Sequence, residues 1–184
     1  MDVTKTLMNE HQLILEYITL LDDYAGFVST NPSDALLKKG HLFVDFIATF
    51  ADRYHHAKEE NILFRHLEGD GVLTHCNPLP QMLHEHDEGR RAVKEMRAAL
   101  DLSDQSAFVK AAVYYATLLK DHINKEDNIL YQMAEDGLSD EQKSDILREY
   151  DVVESHMDSA KFWSDYTEQL QVLQDYLSSL KTAA

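Results

Sequence analysis

Apolar residues recur at intervals of three and four along five stretches of the chain, 3–28, 33–68, 81–100, 105–135 and 140–180. This is the period of an amphipathic helix rather than the two-residue alternation of a strand. Turn-forming residues fall between the stretches. Ser29-Thr30-Asn31-Pro32 separates the first two, and Gly69-Asp70-Gly71 through Pro78-Leu79-Pro80 separates the second and third. Asp101 to Asp104 supplies a short turn, and Gly137 followed by Ser139-Asp140 has the form of a C-cap and then an N-cap. Links this short set successive helices antiparallel. The expected fold is therefore all-α: an up-down four-helix bundle over residues 1–138, with an additional C-terminal helix in 139–184 that packs on the bundle or forms a dimer seam.

Composition supports this reading and narrows the partners. Six Gly and three Pro among 184 residues leave few helix breakers, and 44% hydrophobic residues suffice for a core. A formal net charge of −16 with no Lys/Arg stripe argues against nucleic acid and anionic membrane surfaces. No apolar run reaches the length of a membrane span, and 1–20 lacks the pattern of a secretory signal, so a cytoplasmic protein is expected. The lone Cys76 has no thiolate neighbour for a zinc site and reads as a loop residue.

Internal repetition singles out particular histidines. His55-His56-Ala57-Lys58-Glu59-Glu60-Asn61-Ile62-Leu63-Phe64 in the second helix lines up with His122-Ile123-Asn124-Lys125-Glu126-Asp127-Asn128-Ile129-Leu130-Tyr131 in the fourth. More loosely, Leu7-Met8-Asn9-Glu10-His11 matches Met82-Leu83-His84-Glu85-His86. Helices one and two thus form a unit that recurs as helices three and four.

Helix phase then asks which way each histidine points. His55 shares a face with Val44, Ala48, Ala51, Glu59 and Ile62, and His122 with Ala111, Tyr115, Leu118, Glu126, Ile129 and Met133. His11 lies with Leu7, Ile14, Ile18 and Leu21, and His86 with Met82, Gly89, Val93, Met96 and Leu100. His84, about 160° from His86, shares its face with Glu88, Arg91 and Glu95 and should meet water. His56, about 100° from His55, keeps company with Asp45, Thr49, Asp52, Glu60 and Leu63, and the pair His56 with Glu60 remains an alternative to His55 with Glu59. His41, His66, His75 and His156 belong to no doubled motif and read as ordinary polar residues, although His66 shares the phase of His55.

Four histidines and two glutamates turned into one apolar core call for a counter-charge. A metal supplies it, because His-x-x-x-Glu places an imidazole and a carboxylate on one helix face about 6 Å apart along the axis. A single such pair is usually an exposed side-chain contact; two copies on apolar faces, with two further histidines in phase, are hard to assign to the surface. Mixed imidazole and carboxylate suits iron, manganese or zinc, and iron is favoured. No glutamate is followed three residues later by histidine, no His-Glu-x-x-His is present, and no phosphate loop or nucleophile triad is visible.

Glu10-His11, His55-x-x-x-Glu59, Met82-Leu83-His84-Glu85-His86-Asp87-Glu88-Gly89-Arg90 and His122-x-x-x-Glu126 resemble the hemerythrin-like, or HHE cation-binding, family over roughly residues 5–135. The resemblance implies His11, His55, Glu59, His86, His122 and Glu126 as ligands of a di-iron centre. It implies binding of dioxygen, nitric oxide or peroxide for sensing, storage or stress protection. Oxygen-carrying hemerythrins use five histidines, one glutamate and one aspartate, a pattern from which four histidines and two glutamates depart. Two other readings remain: a di-iron enzyme with peroxidase or oxidase-like activity, and an interaction module in which metal only stabilises the bundle. Ala48, Ala51 and Gly89 could leave room beside the metals, with Tyr115 a pocket or packing residue. The apolar residues beyond 140 call for a partner, either the bundle itself or a second copy in a homodimer.

Overall fold

Six helices arise from these stretches in the computed structural model, which describes residues 2–31, 33–69, 71–73 and 76–184. Helix α1 is Lys5–Thr30, α2 spans 35–67, α3 is Leu79–Asp101, α4 spans 105–137, α5 is Asp140–His156 and α6 is Ser159–Ala183. Gly40 near the start of α2 lies against Leu100 at the end of α3 and Phe108 at the start of α4, so these three termini share one end of the bundle. Histidines from the first third of α1 and α3 meet histidines just past the middle of the longer α2 and α4, in keeping with the up-down arrangement.

Local chemistry sets the ends. Asp104 accepts from the Ala107 amide at 2.9 Å and caps α4, and Ser139 with Gln142 forms a reciprocal capping box that starts α5. Replacing Ser139 by alanine is expected to cost about 1 kcal/mol of stability in a denaturant titration. Gly137 does not adopt a left-handed cap; its value is close approach, since a Cβ there would meet the Val72 carbonyl oxygen at 2.7 Å. The expected helix over 140–180 bends at Asp158, a non-glycine residue at φ 46°, and becomes α5 and α6. Both pack on the bundle. Tyr166, Leu170, Leu173 and Leu177 of α6 are buried, and the hydroxyls of Tyr17 and Tyr24 in α1 donate to the carbonyls of Tyr166 and Leu173 at 2.7 Å.

The apolar core is split. One cluster runs from Leu13 to Val28 on α1 and includes Phe43, Phe50, Met96, Phe108 and Tyr115. The other gathers Val3, Leu7, Leu63, Phe64, Met82, Leu130, Tyr131, Ile146 and Tyr150. Between them lies a buried polar layer that contains every histidine and glutamate singled out by the repeat. No helix among the described residues is long and apolar enough to cross a membrane.

Candidate metal centre

Helices α2 and α4 are not uniformly α-wound. The backbone takes π turns over Ile47–His56 and Glu59–Phe64 in α2 and over Glu126–Leu130 in α4, each turn holding about one residue more than an α turn. Each extra residue moves everything beyond it to a new face. Ile129, in phase with His122 at 100° per residue, is 53% exposed, and Leu130, Tyr131 and Ala134 are buried instead. His66 is carried off the His55 face in the same way and bonds Glu149 of α5 at 3.1 Å.

The π turns also bring adjacent histidines inside together. His55 and His56 are both buried with ring centroids 5.7 Å apart, so the choice between them dissolves. His56 stacks on His86 at 3.8 Å and lies within ligand reach of His86 and His122. Its alternative partner Glu60 does not join it; Glu60 instead accepts from His86 Nδ1 at 2.6 Å. His84 and His41 are exposed, as is His156, and His75 lies outside the described residues.

Two pairs of imidazoles face each other across the layer. His11 Nε2 is 3.0 Å from His55 Nε2, and His86 Nε2 is 2.9 Å from His122 Nε2. The other nitrogen of each ring is committed: Nδ1 of His11, His55, His86 and His122 meets Asp127, Glu10, Glu60 and Glu85 at 2.7, 2.9, 2.6 and 2.8 Å. A carboxylate only accepts, so each Nδ1 donates, and the Nε2 atoms of a neutral pair present two lone pairs to one another. That arrangement repels unless a cation lies between them.

The two glutamates complete the layer. Glu59 Oε2 is 3.3 Å from His55 Nε2 and 3.5 Å from His86 Nε2. Glu126 Oε2 is 3.4 Å from His11 Nε2, and its Oε1 is 3.2 Å from His122 Nε2 and 3.8 Å from His86 Nε2. Each carboxylate therefore faces both histidine pairs. Glu59 Oε2 and both Glu126 oxygens are buried without a hydrogen-bond donor, a costly state for charged oxygens that a metal ion would relieve. His11, His55, Glu59 and Glu126 form one group with ligand atoms within 4.8 Å of one another, and His56, His86 and His122 form a second. The donor set fits a two-metal centre.

Supporting contacts repeat with the ligands. Glu10 holds His55 and is itself held by Lys58, while Glu85 holds His122 and is held by Lys125. Such outer carboxylates fix the tautomer and make the free nitrogen a better donor to metal. Lys58 is fully buried, with its ammonium 3.9 Å from the Tyr54 ring centroid, and it also meets Glu154 of α5 at 3.3 Å. Replacing Lys58 by alanine leaves Glu10 buried without its cation; a loss of about 3 kcal/mol or more in denaturant unfolding is expected. Two positions break the symmetry. Tyr131 donates to Glu59 Oε1 at 2.5 Å where the repeat has Phe64, and His56 stands where it has Ile123.

Protonation follows from the same geometry. Burial opposes charge on His11 and His86, but Asp127 and Glu126 around the first, and Glu126 and Glu60 around the second, raise both to about 10. Burial pushes His56 down to about 3, with His86 adding to the effect, and it holds His55 well below the usual imidazole range. The carboxylates split: burial and the charge on Glu126 push Glu59 up to about 8, whereas His122, His11 and His86 overcome burial and hold Glu126 well below its ordinary value. Without a metal, the surrounding carboxylates thus favour the protonated form of His11 and of His86.

A family model described as the hemerythrin HHE cation-binding domain matches residues 2–134. No curated protein and no solved structure matches the chain. The matched span contains all seven residues of the polar layer and all six of the carboxylates and lysines that orient them. The chain belongs to the hemerythrin HHE cation-binding domain family.

Proposed function

We propose that this layer would hold two iron ions through His11, His55, Glu59, His86, His122 and Glu126. The centre binds dioxygen, nitric oxide or peroxide for sensing, storage or stress protection. The reading is carried by the two Nε2-to-Nε2 approaches of 3.0 and 2.9 Å between imidazoles whose other nitrogens already donate to carboxylates. Five imidazoles and two carboxylates with no thiolate suit iron, with manganese or zinc as the other occupants the donors would accept. Bound iron would supply a redox-active centre with positions open to a small ligand.

The chain's own residues shape how that ligand is received. His56 places a third imidazole on the His86–His122 side, and Tyr131 places a hydroxyl on the His11 side. Tyr131 occupies Glu59 Oε1 and leaves Oε2 free for metal. Apolar clusters above and below shield the layer from water on those two sides, which strengthens the charge interactions within. Iron-loaded protein is expected to change its visible absorption on exposure to dioxygen or nitric oxide. An iron-loaded sample with no spectral response to either removes the gas-binding function.

A further inference from the structure

A cavity of about 180 Å³ reaches from the surface between α2 and α3 to His56. It is the space of about six water molecules, enough for a compact organic solute. Ile47, Val93, Tyr115 and Leu119 form its apolar wall. Gly89 keeps it open, because a Cβ there would already touch the Tyr115 ring at 3.4 Å.

The mouth is cationic. Arg90, Lys94 and Arg97 line it at intervals of four and three along α3. Arg90 is committed to Asp52, Glu60 and Asp87, whereas Lys94 and Arg97 are exposed and have no ion pair or hydrogen bond among the described residues. The acids in the lining are spoken for: Asp52 meets Arg90 and His56, and Glu85 meets Lys125, Gln81 and His122. An adjoining surface depression adds Arg53 to Arg90 and Arg97. In a chain of net charge −16, this is a local reversal of sign at the entrance to the polar layer. A neutral diatomic gas gains nothing from two free cations; a carboxylate gains from both.

We propose that this cavity binds a short-chain monocarboxylate, with its charged end at Lys94 and Arg97 and its apolar body along Val93 and Tyr115 toward His56. The occupant's apolar end then stops at His56, whose ring stacks on His86 at 3.8 Å, and its bearing on the metals rests on reading the layer as the metal centre. Hexanoate, with eight heavy atoms, is the probe, and 1-hexanol is its neutral counterpart. Calorimetry on the purified chain, with metal content measured in the same samples before and after chelation, reads binding without any assay of turnover.

Hexanoate is expected to saturate one site per chain more tightly than 1-hexanol and to weaken as salt rises. The double variant Lys94→Gln, Arg97→Gln should weaken hexanoate at least tenfold and leave 1-hexanol within a few-fold. Gly89→Val should weaken both, because it fills the cavity rather than removing charge. No saturable hexanoate binding, or binding indifferent to the double variant, overturns the proposal. If hexanoate behaves as expected but the chain takes up no metal, the metal reading fails and the cavity assignment stands. If metal loads and hexanoate does not bind, the cavity assignment alone fails.

Discussion

Replacing Glu126 by alanine should remove both metal ions rather than one. Its two oxygens lie 3.4 Å from His11 Nε2 and 3.2 Å from His122 Nε2, so it faces each histidine pair and is the anion both would share. His55→Ala is expected to strip its own side first, because its Nε2 belongs to one pair only. Glu85→Gln, which leaves every proposed ligand in place but takes the charge from the partner of His122 Nδ1 and from the anion that Lys125 pairs with, should cost about 10–100-fold in affinity. Metal per chain measured by elemental analysis, with circular dichroism to show that each variant is folded, separates the three. A Glu126→Ala chain that is folded and fully loaded would place the metals elsewhere.

Metal uptake should release protons, and the affinity should climb steeply with pH. At pH 7 and without metal, His11 and His86, both raised to about 10, and Glu59, raised to about 8, carry protons that a metal must displace. Loading both ions is therefore expected to release roughly two to three protons, and the overall binding constant to fall about 100- to 1000-fold per pH unit as pH drops. The chelated chain should respond in the opposite sense. All three groups have folded values above their unfolded ones, so the native state holds more protons than the unfolded state between about pH 7 and 10. The stability these protons contribute is present in full at low pH and is lost as pH rises through 8 and then 10. Denaturant titrations of chelated protein at pH 7 and pH 9.5 should show a fall, while metal-loaded protein changes little. Metal binding without proton release in a weakly buffered solution would contradict the protonation scheme.

Much of this centre can be read from the residues because it is built twice. The repeat carries His55, Lys58, Glu59 and Glu60 onto His122, Lys125, Glu126 and Asp127 and, with a different spacing, Glu10-His11 onto Glu85-His86. Period and duplication thus suffice for the bundle and for six residues of the layer. The orienting carboxylates were visible in the same alignment, since Glu10, Glu60, Glu85 and Asp127 each neighbour a candidate ligand. What hid their role is that every one of them holds a histidine on a different helix, a relation that no local pattern contains.

His56 was obscured for another reason. A fixed 100° per residue assigns it to a different face from His55, and only the π turns, whose wider winding depends on the packed helix, bring both inward. The same winding explains why Ile129 is exposed and Leu130 buried. The bend at Asp158 was equally hidden, because the apolar positions on either side keep a helical period and no Gly or Pro marks the break. Its position lets α5 bring Glu154 to Lys58 while α6 turns to cover Tyr17 and Tyr24.

The central claim is a centre for two metals inside one chain, and stoichiometry tests it most directly. Anaerobic titration of the chelated wild-type protein with Fe(II), followed by bound iron per chain, should rise linearly and break at two equivalents. A break at one equivalent, or no specific uptake, contradicts the account.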